Sequence, residues 1–226
     1  MSGQVIILFG PPGSGKGTQG ALLAGLLQVP VISTGEILRA ESESGTRLGD
    51  TVKDSICAGK LITDDLINQV VAERIMHQDC KDGFLLDGYP RTVSQAEYLD
   101  RLLDKLNMPR PMVVRIDVSM QVLEERLTGR RQCCFCGRIY NVHVHASARE
   151  GFCDEDGMPL LRRADDDESV IRERLKYYER DSLPVLEYYR DSDLHRIDGN
   201  STPGLVLEAL EEALDHVGAV SRSVVA

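Results

Sequence analysis

The most informative stretch of this 226-residue chain is Gly10-Pro-Pro-Gly13-Ser14-Gly15-Lys16-Gly17-Thr18. It follows the apolar run Val5–Phe9 and precedes a helical pattern that begins at about Thr18, which is the context that a P-loop requires. Glycines let the backbone wrap closely around phosphate groups, and a helix N-terminus adds a positive dipole. Lys16 supplies a mobile ammonium. The stretch therefore predicts a phosphate-binding loop.

Beyond this loop, short apolar runs alternate with helical patterns. Besides Val5–Phe9, the runs are Val29–Ile32, Phe84–Leu86, Met112–Val118 and Leu194–Ile197. Strands that alternate with helices predict an α/β fold, with a parallel sheet covered by helices on both faces. The first helix is expected to bury one face that contains Leu22, Leu23, Leu26 and Leu27. Two stretches, 33–62 and 129–166, depart from the alternation and are predicted to be insertions on a single core.

Composition excludes several classes of partner. The formal net charge of −10 argues against non-specific binding to nucleic acid or to an anionic membrane, since both need a basic face. No apolar run approaches the length that spans a bilayer. The start, Met1-Ser2-Gly3-Gln4, lacks the basic residues of a signal peptide. We therefore expect a cytoplasmic protein, and nothing in the sequence demands more than a monomer.

The segment Phe84–Arg91 is predicted to be a buried strand that ends in a carboxylate, Asp87. A carboxylate at the carboxyl end of a strand beside a P-loop strand can hold Mg²⁺, usually through water. Arg91 is placed to bind a phosphate in a bidentate manner. Earlier in the chain, Ser33 and Glu36 have the spacing of a helix capping box.

Four of the six cysteines lie between residues 133 and 153, and clustered cysteines in an intracellular protein indicate a metal site. Cys133 and Cys136 form one chelating turn, and Cys153 and Asp156 form a second one after sixteen intervening residues. Three thiolates and a carboxylate would complete a tetrahedral structural Zn²⁺ site, although thiolate-rich sites also accept cobalt or iron. Cys134 lies too close to a ligand to share the metal.

Three alternatives remain open for this region. The cysteines could be reduced and unliganded. Asp154 is a weaker rival to Asp156, because its offset from Cys153 suits chelation poorly. His143 and His145 alternate as on one face of a strand and could bind a metal of their own.

Taken together, these motifs resemble the adenylate kinase family. The motifs that carry the resemblance are the Gly-Lys-Gly-Thr form of the loop, Ser-Thr-Gly-x-x-x-Arg at 33–39, Gly59–Ile62, Asp87–Arg91 with Gln95, and the later arginines. The match runs from Gln4 to about Leu214. It implies the P-loop nucleoside monophosphate kinase fold with a five-stranded parallel sheet. The core would comprise 1–32, 63–128 and 167–226, with 33–62 as the AMP-binding insertion and 129–166 as the lid.

The resemblance also implies a reaction, MgATP + AMP to two ADP, by direct transfer without a phospho-enzyme. The residues implied for phosphoryl transfer are Lys16, Asp87, Arg91, Arg126, Arg130, Arg163 and Arg174. Those implied for ATP are Gly13, Ser14, Gly15, Lys16, Gly17, Thr18, Arg126, Arg130, Ile139, Tyr140 and Ser201. Those implied for AMP are Thr34, Arg39, Lys60, Leu61, Ile62, Gly88, Tyr89, Pro90, Arg91, Gln95, Arg163 and Arg174. In this scheme Gln95 would read the adenine edge, and Asp87 would organise Mg²⁺.

The lid stretch resembles that of long-type bacterial members of the family, which implies a structural Zn²⁺. Two positions depart from the family pattern. Tyr89 stands where phenylalanine is usual, and the segment Asn141–Ser147 replaces a turn rich in proline.

Three other functions remain open. A kinase of the same fold could accept UMP or CMP, or could prefer GTP as donor. A zinc-ribbon protein could use the P-loop as a nucleotide switch, but it would need a partner surface that the net charge of −10 disfavours for nucleic acid. A nucleotide-binding protein without turnover would not need the full set of arginines.

Overall fold

The computed structural model describes residues 4–43, 49–50, 52, 62–191 and 193–215. Its centre is a five-stranded sheet whose neighbouring strands are all parallel. In chain order, these strands are β1 (Gln4–Phe9), β2 (Val31–Ser33), β3 (Gly83–Asp87), β4 (Met112–Asp117) and β8 (Leu194–Asp198). Their spatial order is β2-β3-β1-β4-β8. The predicted parallel sheet is therefore confirmed, and each of its strands overlaps a predicted apolar run.

Helices cover both faces of the sheet. They are α1 (Lys16–Leu27), α2 (Thr34–Ser42), α3 (Asp64–Ile75), α4 (Val93–Lys105), α5 (Met120–Gly129), α6 (Glu168–Tyr177), α7 (Leu183–Tyr188) and α8 (Pro203–Asp215). Short helical turns lie at Gln78–Cys80, Ala164–Asp166 and Tyr178–Ser182. No helix among the described residues has the length and apolarity that are needed to cross a bilayer.

The side chains of β1 show why the sheet is buried on both sides. Val5, Ile7 and Phe9 belong to one apolar cluster, while Ile6 and Leu8 belong to a second cluster on the other face. Successive strand residues point to opposite faces, so a continuous apolar run requires cover on both. Full burial of each such side chain contributes about 1.5–3 kcal/mol. The central strand thus holds the loop that follows it in a rigid position.

The predicted buried face of α1 is wrong in part. Leu22 and Leu26 are 42% and 56% exposed, whereas Leu23 is fully buried together with Gln19 and Gly20. The physical reason is the close approach of α1 to β1. A Cβ atom built on Gly20 would lie 3.2 Å from Leu8 Cδ1, so the glycine face, and not the leucine-rich face, packs against the sheet.

A second sheet lies within the stretch 129–166. It is antiparallel and contains β5 (Arg130–Cys133), β6 (Ile139–Asn141) and β7 (Leu160–Leu161), in the order β6-β5-β7. Strand β5 begins directly where α5 ends. The small sheet has its own buried cluster of Cys133, Tyr140 and Cys153, against which Leu160 packs. We call this unit the lid sheet.

Candidate active site

The turn between β1 and α1 requires glycine at two positions. A Cβ atom on Gly10 would lie 2.8 Å from the carbonyl oxygen of Ile116, and one on Gly13 would lie 2.8 Å from Leu127 Cγ. Both residues also have positive φ, at 155° and 83°. The backbone is therefore packed closely against β4 and α5, and its N–H groups are held at the N-terminus of α1.

Lys16 lies within this loop. Its Nζ donates hydrogen bonds to the carbonyl oxygens of Gly10 and Pro11, at 2.7 and 2.9 Å, and to Ser14 Oγ at 3.4 Å. Burial lowers the pKa of Lys16 to about 8, although the nearby Asp87 carboxylate opposes this shift. A desolvated ammonium beside backbone N–H groups favours an anion in the mouth of the loop.

Asp87 ends β3 next to the loop. It pairs in register with Leu8 of β1, and a Cβ atom on Gly17 would lie 3.6 Å from its Oδ2. The carboxylate therefore faces the first turn of α1. Its oxygens suit a hard cation such as Mg²⁺ at this position.

Two side chains converge on Gly88, the residue after Asp87. Thr34 Oγ1 donates to the Gly88 carbonyl oxygen at 2.9 Å, and Arg91 Nε donates to the same oxygen at 2.7 Å. Gly88 has a φ of 79°, which favours glycine, and a Cβ atom there would lie 3.0 Å from Arg91 Nη2. The predicted capping box is wrong, because the Ser33 side chain makes no capping hydrogen bond to α2. The neighbouring Thr34 instead joins α2 to the turn after β3.

Six positively charged side chains interact electrostatically around the P-loop and Gly88. They are Lys16, Arg39, Arg91, Arg130, Arg163 and Arg174. Burial, together with Arg174 and Arg39, lowers the pKa of Arg91 to about 10, although Asp87 opposes this shift. Burial, together with Arg130 and Arg39, lowers the pKa of Arg163 to about 10 as well. Such a concentration of positive charge in a protein of net charge −10 indicates a polyanionic ligand.

Two buried carboxylates hold this cationic cluster together. Arg174 Nη1 donates to Asp165 Oδ2 at 2.8 Å, and Arg130 Nε donates to Asp166 Oδ2 at 2.7 Å. Burial alone would raise the pKa of Asp165, but Arg174 and three further arginines hold it below its usual value. Sequence reasoning missed these ion pairs, because they depend on the tertiary fold.

A buried polar network adjoins Arg91. Gln95 Nε2 donates to Asp64 Oδ1 at 2.7 Å, and Gln95 Oε1 accepts from Arg91 N at 2.7 Å. The Tyr89 hydroxyl donates to Asn68 Oδ1 at 2.6 Å. The hydroxyl that distinguishes Tyr89 from phenylalanine is therefore satisfied within the core.

The comparisons with known proteins agree with this arrangement. The family model described as adenylate kinase matches residues 8–194. The chain belongs to the adenylate kinase family. It is therefore a nucleoside monophosphate kinase, a phosphotransferase, and the family implies ATP, AMP and ADP as its small-molecule partners, with Mg²⁺ accompanying ATP.

Curated relatives match over nearly the whole chain and support adenylate kinase function. The adenylate kinase of Symbiobacterium thermophilum is 43% identical over 210 residues, covering 92% of this chain and 97% of the relative. That of Anaeromyxobacter dehalogenans is 42% identical over 211 residues, covering 93% and 99%. That of Desulfitobacterium hafniense is 43% identical over 211 residues, covering 93% and 97%.

The remaining residues that are predicted to contact the nucleotides lie in different parts of the structure. Arg126 donates through Nη1 to the Ser14 carbonyl oxygen at 3.3 Å and through Nη2 to those of Gly199 and Ser201, at 2.8 and 3.3 Å. It therefore joins the P-loop to the turn after β8. Ile62 packs against the main apolar cluster, and Pro90 is buried. Lys60 and Leu61 lie outside the described residues.

Tyr140 lies inside the lid sheet and not on its surface. Its hydroxyl lies 3.4 Å from Cys153 Sγ and accepts from Asp154 N at 2.9 Å. Its ring stacks on His145, with 5.9 Å between centroids. Any contact of Tyr140 with ATP would therefore use its backbone, while Ile139 beside it is partly exposed.

The four predicted metal ligands come together in the lid sheet. One ligand atom each from Cys133, Cys136, Cys153 and Asp156 lies within 4.8 Å of the others. The Cys136 and Cys153 sulfurs are 3.6 Å apart, and Cys133 Sγ lies 3.3 Å from Asp156 Oδ2. Zinc–sulfur bonds of about 2.3 Å in a tetrahedron place two sulfurs about 3.8 Å apart, so this arrangement fits Zn²⁺.

The surroundings also suit a dication. The backbone N–H groups of Phe135 and Cys136 both donate to Cys133 Sγ at 3.4 Å, which stabilises a thiolate. Within the part of the chain that the structure describes, His143 and His145 do not join a group of metal ligands.

Sequence reasoning missed one contact between this metal region and the arginines. Arg163 Nε donates to Gln132 Oε1 at 2.5 Å, and Gln132 Nε2 donates to the Gly137 carbonyl oxygen at 3.1 Å. Gln132 thereby connects a predicted phosphate-binding arginine to the first cysteine turn. The residues are 31 positions apart, and no local pattern announces such a pair.

Proposed function

We propose that this chain transfers the terminal phosphoryl group of MgATP to AMP, reversibly and directly, and so maintains the balance of adenine nucleotides. The observation that carries this proposal is the convergence of Lys16 and five arginines around the P-loop and Gly88. The phosphates of two nucleotides bound between the P-loop and Gly88 would neutralise the positive charge of this cluster.

In the proposed step, an oxygen of the AMP phosphate forms a bond to the γ-phosphorus of ATP. The bond from that phosphorus to the β–γ bridging oxygen breaks, and its electron pair stays on the leaving ADP. This chemistry needs in-line positioning and neutralisation of charge on the phosphate oxygens, and little else from the protein. Bound Mg²⁺ neutralises charge on the ATP phosphates, and Asp87 would hold it.

The proposed division of labour follows the two halves of the site. Gly13–Thr18, together with Arg126 and Arg130, would bind the ATP phosphates, with the backbone of Ile139, Tyr140 and Ser201 near the rest of the nucleotide. Thr34, Arg39, Ile62, Gly88–Arg91 and Gln95 would bind AMP, as would Lys60 and Leu61. Arg163 and Arg174 would lie between them and contact the transferring group.

Closure of the site, a structural metal, and the oligomeric state and location of the protein complete the proposal. The insertions 33–62 and 129–166 would close over the nucleotides, because an open cleft would pass the phosphoryl group to water. Cys133, Cys136, Cys153 and Asp156 would hold a structural Zn²⁺ that leaves no open position for chemistry. We propose a monomer that works in the cytoplasm.

A coupled assay of ADP formation tests the proposed function. MgATP is offered with AMP, UMP, CMP or GMP as separate acceptors, and each reaction is compared with MgATP alone. ADP production that requires AMP supports the proposal. Turnover with another acceptor would keep the phosphoryl-transfer mechanism but overturn the assignment of Thr34 and Gln95 to an adenine nucleotide. No turnover with any acceptor would favour a nucleotide switch.

A further inference from the structure

Two hydrogen bonds determine which way round the Gln95 carboxamide lies. Its Nε2 donates to Asp64 Oδ1 and its Oε1 accepts from Arg91 N, both at 2.7 Å. An ionised carboxylate only accepts and a backbone N–H only donates, so the two partners distinguish the amide nitrogen from the amide oxygen. Gln95 is 4% exposed. Its orientation is therefore set by the protein and not by solvent.

Asp64 is itself held firmly. Its Oδ2 accepts a hydrogen bond from Thr92 Oγ1 at 2.7 Å, and the same hydroxyl oxygen accepts from Gln95 N at 3.2 Å. Asp64 is also the first residue of α3, where the helix dipole favours a negative charge. The carboxylate, the threonine and the glutamine form a closed ring that joins the start of α3 to the start of α4.

We propose that Asp64 is a specificity-determining residue of the acceptor site, because it keeps Gln95 in the orientation that reads adenine. This inference rests on the proposed function, in which Gln95 meets the base edge. Adenine presents an N6 donor beside the N1 acceptor, whereas hypoxanthine and guanine present an O6 acceptor beside an N1–H donor. An amide of fixed orientation can complement one of these patterns only, and its reversal complements the other.

The remaining hydrogen-bonding capacity of Gln95 fits this role. After its two protein contacts, Oε1 keeps one lone pair and Nε2 keeps one N–H for a base. A reversed amide would place Oε1 against the Asp64 carboxylate and Nε2 against the Arg91 N–H. A 6-oxopurine is complemented only by the reversed amide, which makes two mismatched contacts. The contact with the Asp64 carboxylate is the charged one of the two.

The selectivity between AMP and IMP tests the inference, since these acceptors differ at the six-position edge alone. In the coupled assay, the ratio of kcat/KM for AMP to kcat/KM for IMP is measured for the wild type, for Asp64→Asn and for Asp65→Asn. An amide at position 64 can donate to a reversed Gln95, so Asp64→Asn is expected to reduce the ratio about tenfold. The Arg91 N–H remains and preserves part of the preference.

Asp65→Asn is the matched control, because it removes the same charge from the next position of α3 on an exposed side chain. It is expected to leave the ratio unchanged, and an equal loss in both variants would overturn the inference. Thermal unfolding checks that each variant is folded. Asp64→Ser, which removes the carboxylate with a smaller side chain, replaces Asp64→Asn if that variant does not fold.

Gln95→Leu separates this inference from the proposed function. If Gln95→Leu abolishes the preference for AMP while the Asp64 variants keep it, Gln95 reads the base and the role of Asp64 is wrong. If Gln95→Leu leaves the preference intact, Gln95 does not read the base, and both the inference and that part of the proposed function fail. Loss of the preference in Gln95→Leu together with a reduced ratio in Asp64→Asn supports both.

Discussion

Arg130 and Asp166 form an ion pair in which the carboxylate has no exposed surface and the guanidinium is 14% exposed. Both Nε and Nη2 of Arg130 contact the Asp166 carboxylate, which is the bidentate geometry that orients an arginine most strongly. Arg130 is the first residue of β5, so the pair also fixes the lid sheet to the segment that leads into α6. One contact therefore serves both stability and the placement of an arginine that we propose binds phosphate.

Asp166→Ala should lower both stability and turnover. Removal of one partner leaves a buried charge without its counterion, which costs about 3–5 kcal/mol of the free energy of unfolding. Urea denaturation measures this change, and the coupled assay measures turnover. Asp191→Ala is the control, because Asp191 forms an exposed ion pair with Arg190 and should change neither quantity measurably. Equal stability of the two variants would contradict the interpretation of Asp166.

Lys16→Met should lower turnover by about 10³-fold or more, since the cation proposed to neutralise the transferring phosphates is lost. Binding of MgATP should weaken less than turnover, because the backbone N–H groups remain. The matched variant Lys105→Met removes an exposed ammonium from α4 and should retain wild-type turnover. Near-normal activity of Lys16→Met would refute the proposed role of the loop.

Comparison of the wild type with Lys16→Met also tests how the free energy of unfolding depends on pH. The pKa of Lys16 is about 8 in the folded protein, below its ordinary value of 10.5, because burial disfavours the charged form. Between these two values the unfolded chain binds more protons than the folded one, so the contribution of Lys16 to stability rises with pH. The free energy of unfolding of the wild type relative to Lys16→Met should therefore increase between about pH 8 and pH 10.5. A constant difference over this range would show that Lys16 is not desolvated.

Arg91→Ala should also lower turnover by about 10³-fold or more, because Arg91 is proposed to neutralise a phosphate. Its effect should appear in the dependence on AMP concentration, whereas the affinity for MgATP should change little. Arg101→Ala provides the comparison, since it removes an exposed arginine from α4. A selective loss of MgATP affinity in Arg91→Ala would instead move this residue to the donor side.

Loss of the proposed lid metal should destabilise the lid sheet selectively. Cys153→Ser is expected to lower Tm by about 4–8 °C, which corresponds to about 2 kcal/mol for a chain of this size. Hydrogen exchange should accelerate in residues 130–161 and remain slow in β1 and β3. Cys134→Ser is the matched control, because Cys134 is an exposed thiol next to the metal turn but outside the group of ligands. Chelation that leaves both Tm and exchange unchanged would rule out a structural metal.

Much of this architecture was predictable because its determinants are local. The P-loop needs glycine where the backbone has positive φ, as at Gly13, and the metal site needs two short chelating turns. Other features depend on packing between distant segments. The exposure of Leu22 and Leu26 follows from the approach of Gly20 to β1, which helical periodicity alone does not contain.

The contacts of the site that sequence reasoning missed share this non-local character. Gln95 and Asp64 are 31 residues apart, and Arg130 and Asp166 are 36 apart. In neither pair does a local sequence pattern announce which two residues come together. A motif specifies the group that touches a ligand, whereas the partner that orients that group is selected by the fold.

The position of β5 at the centre of the lid sheet has a consequence for protein engineering. Because β5 pairs with β7, with Gln132 opposite Leu161, the chain leaves the lid sheet beside the place where it entered. A segment whose two ends are neighbours can be exchanged for another segment of similar end-to-end distance without displacing the rest of the molecule. Replacement of residues 130–161 by the corresponding part of a relative should therefore transfer the metal requirement while the register of the five-stranded sheet is preserved.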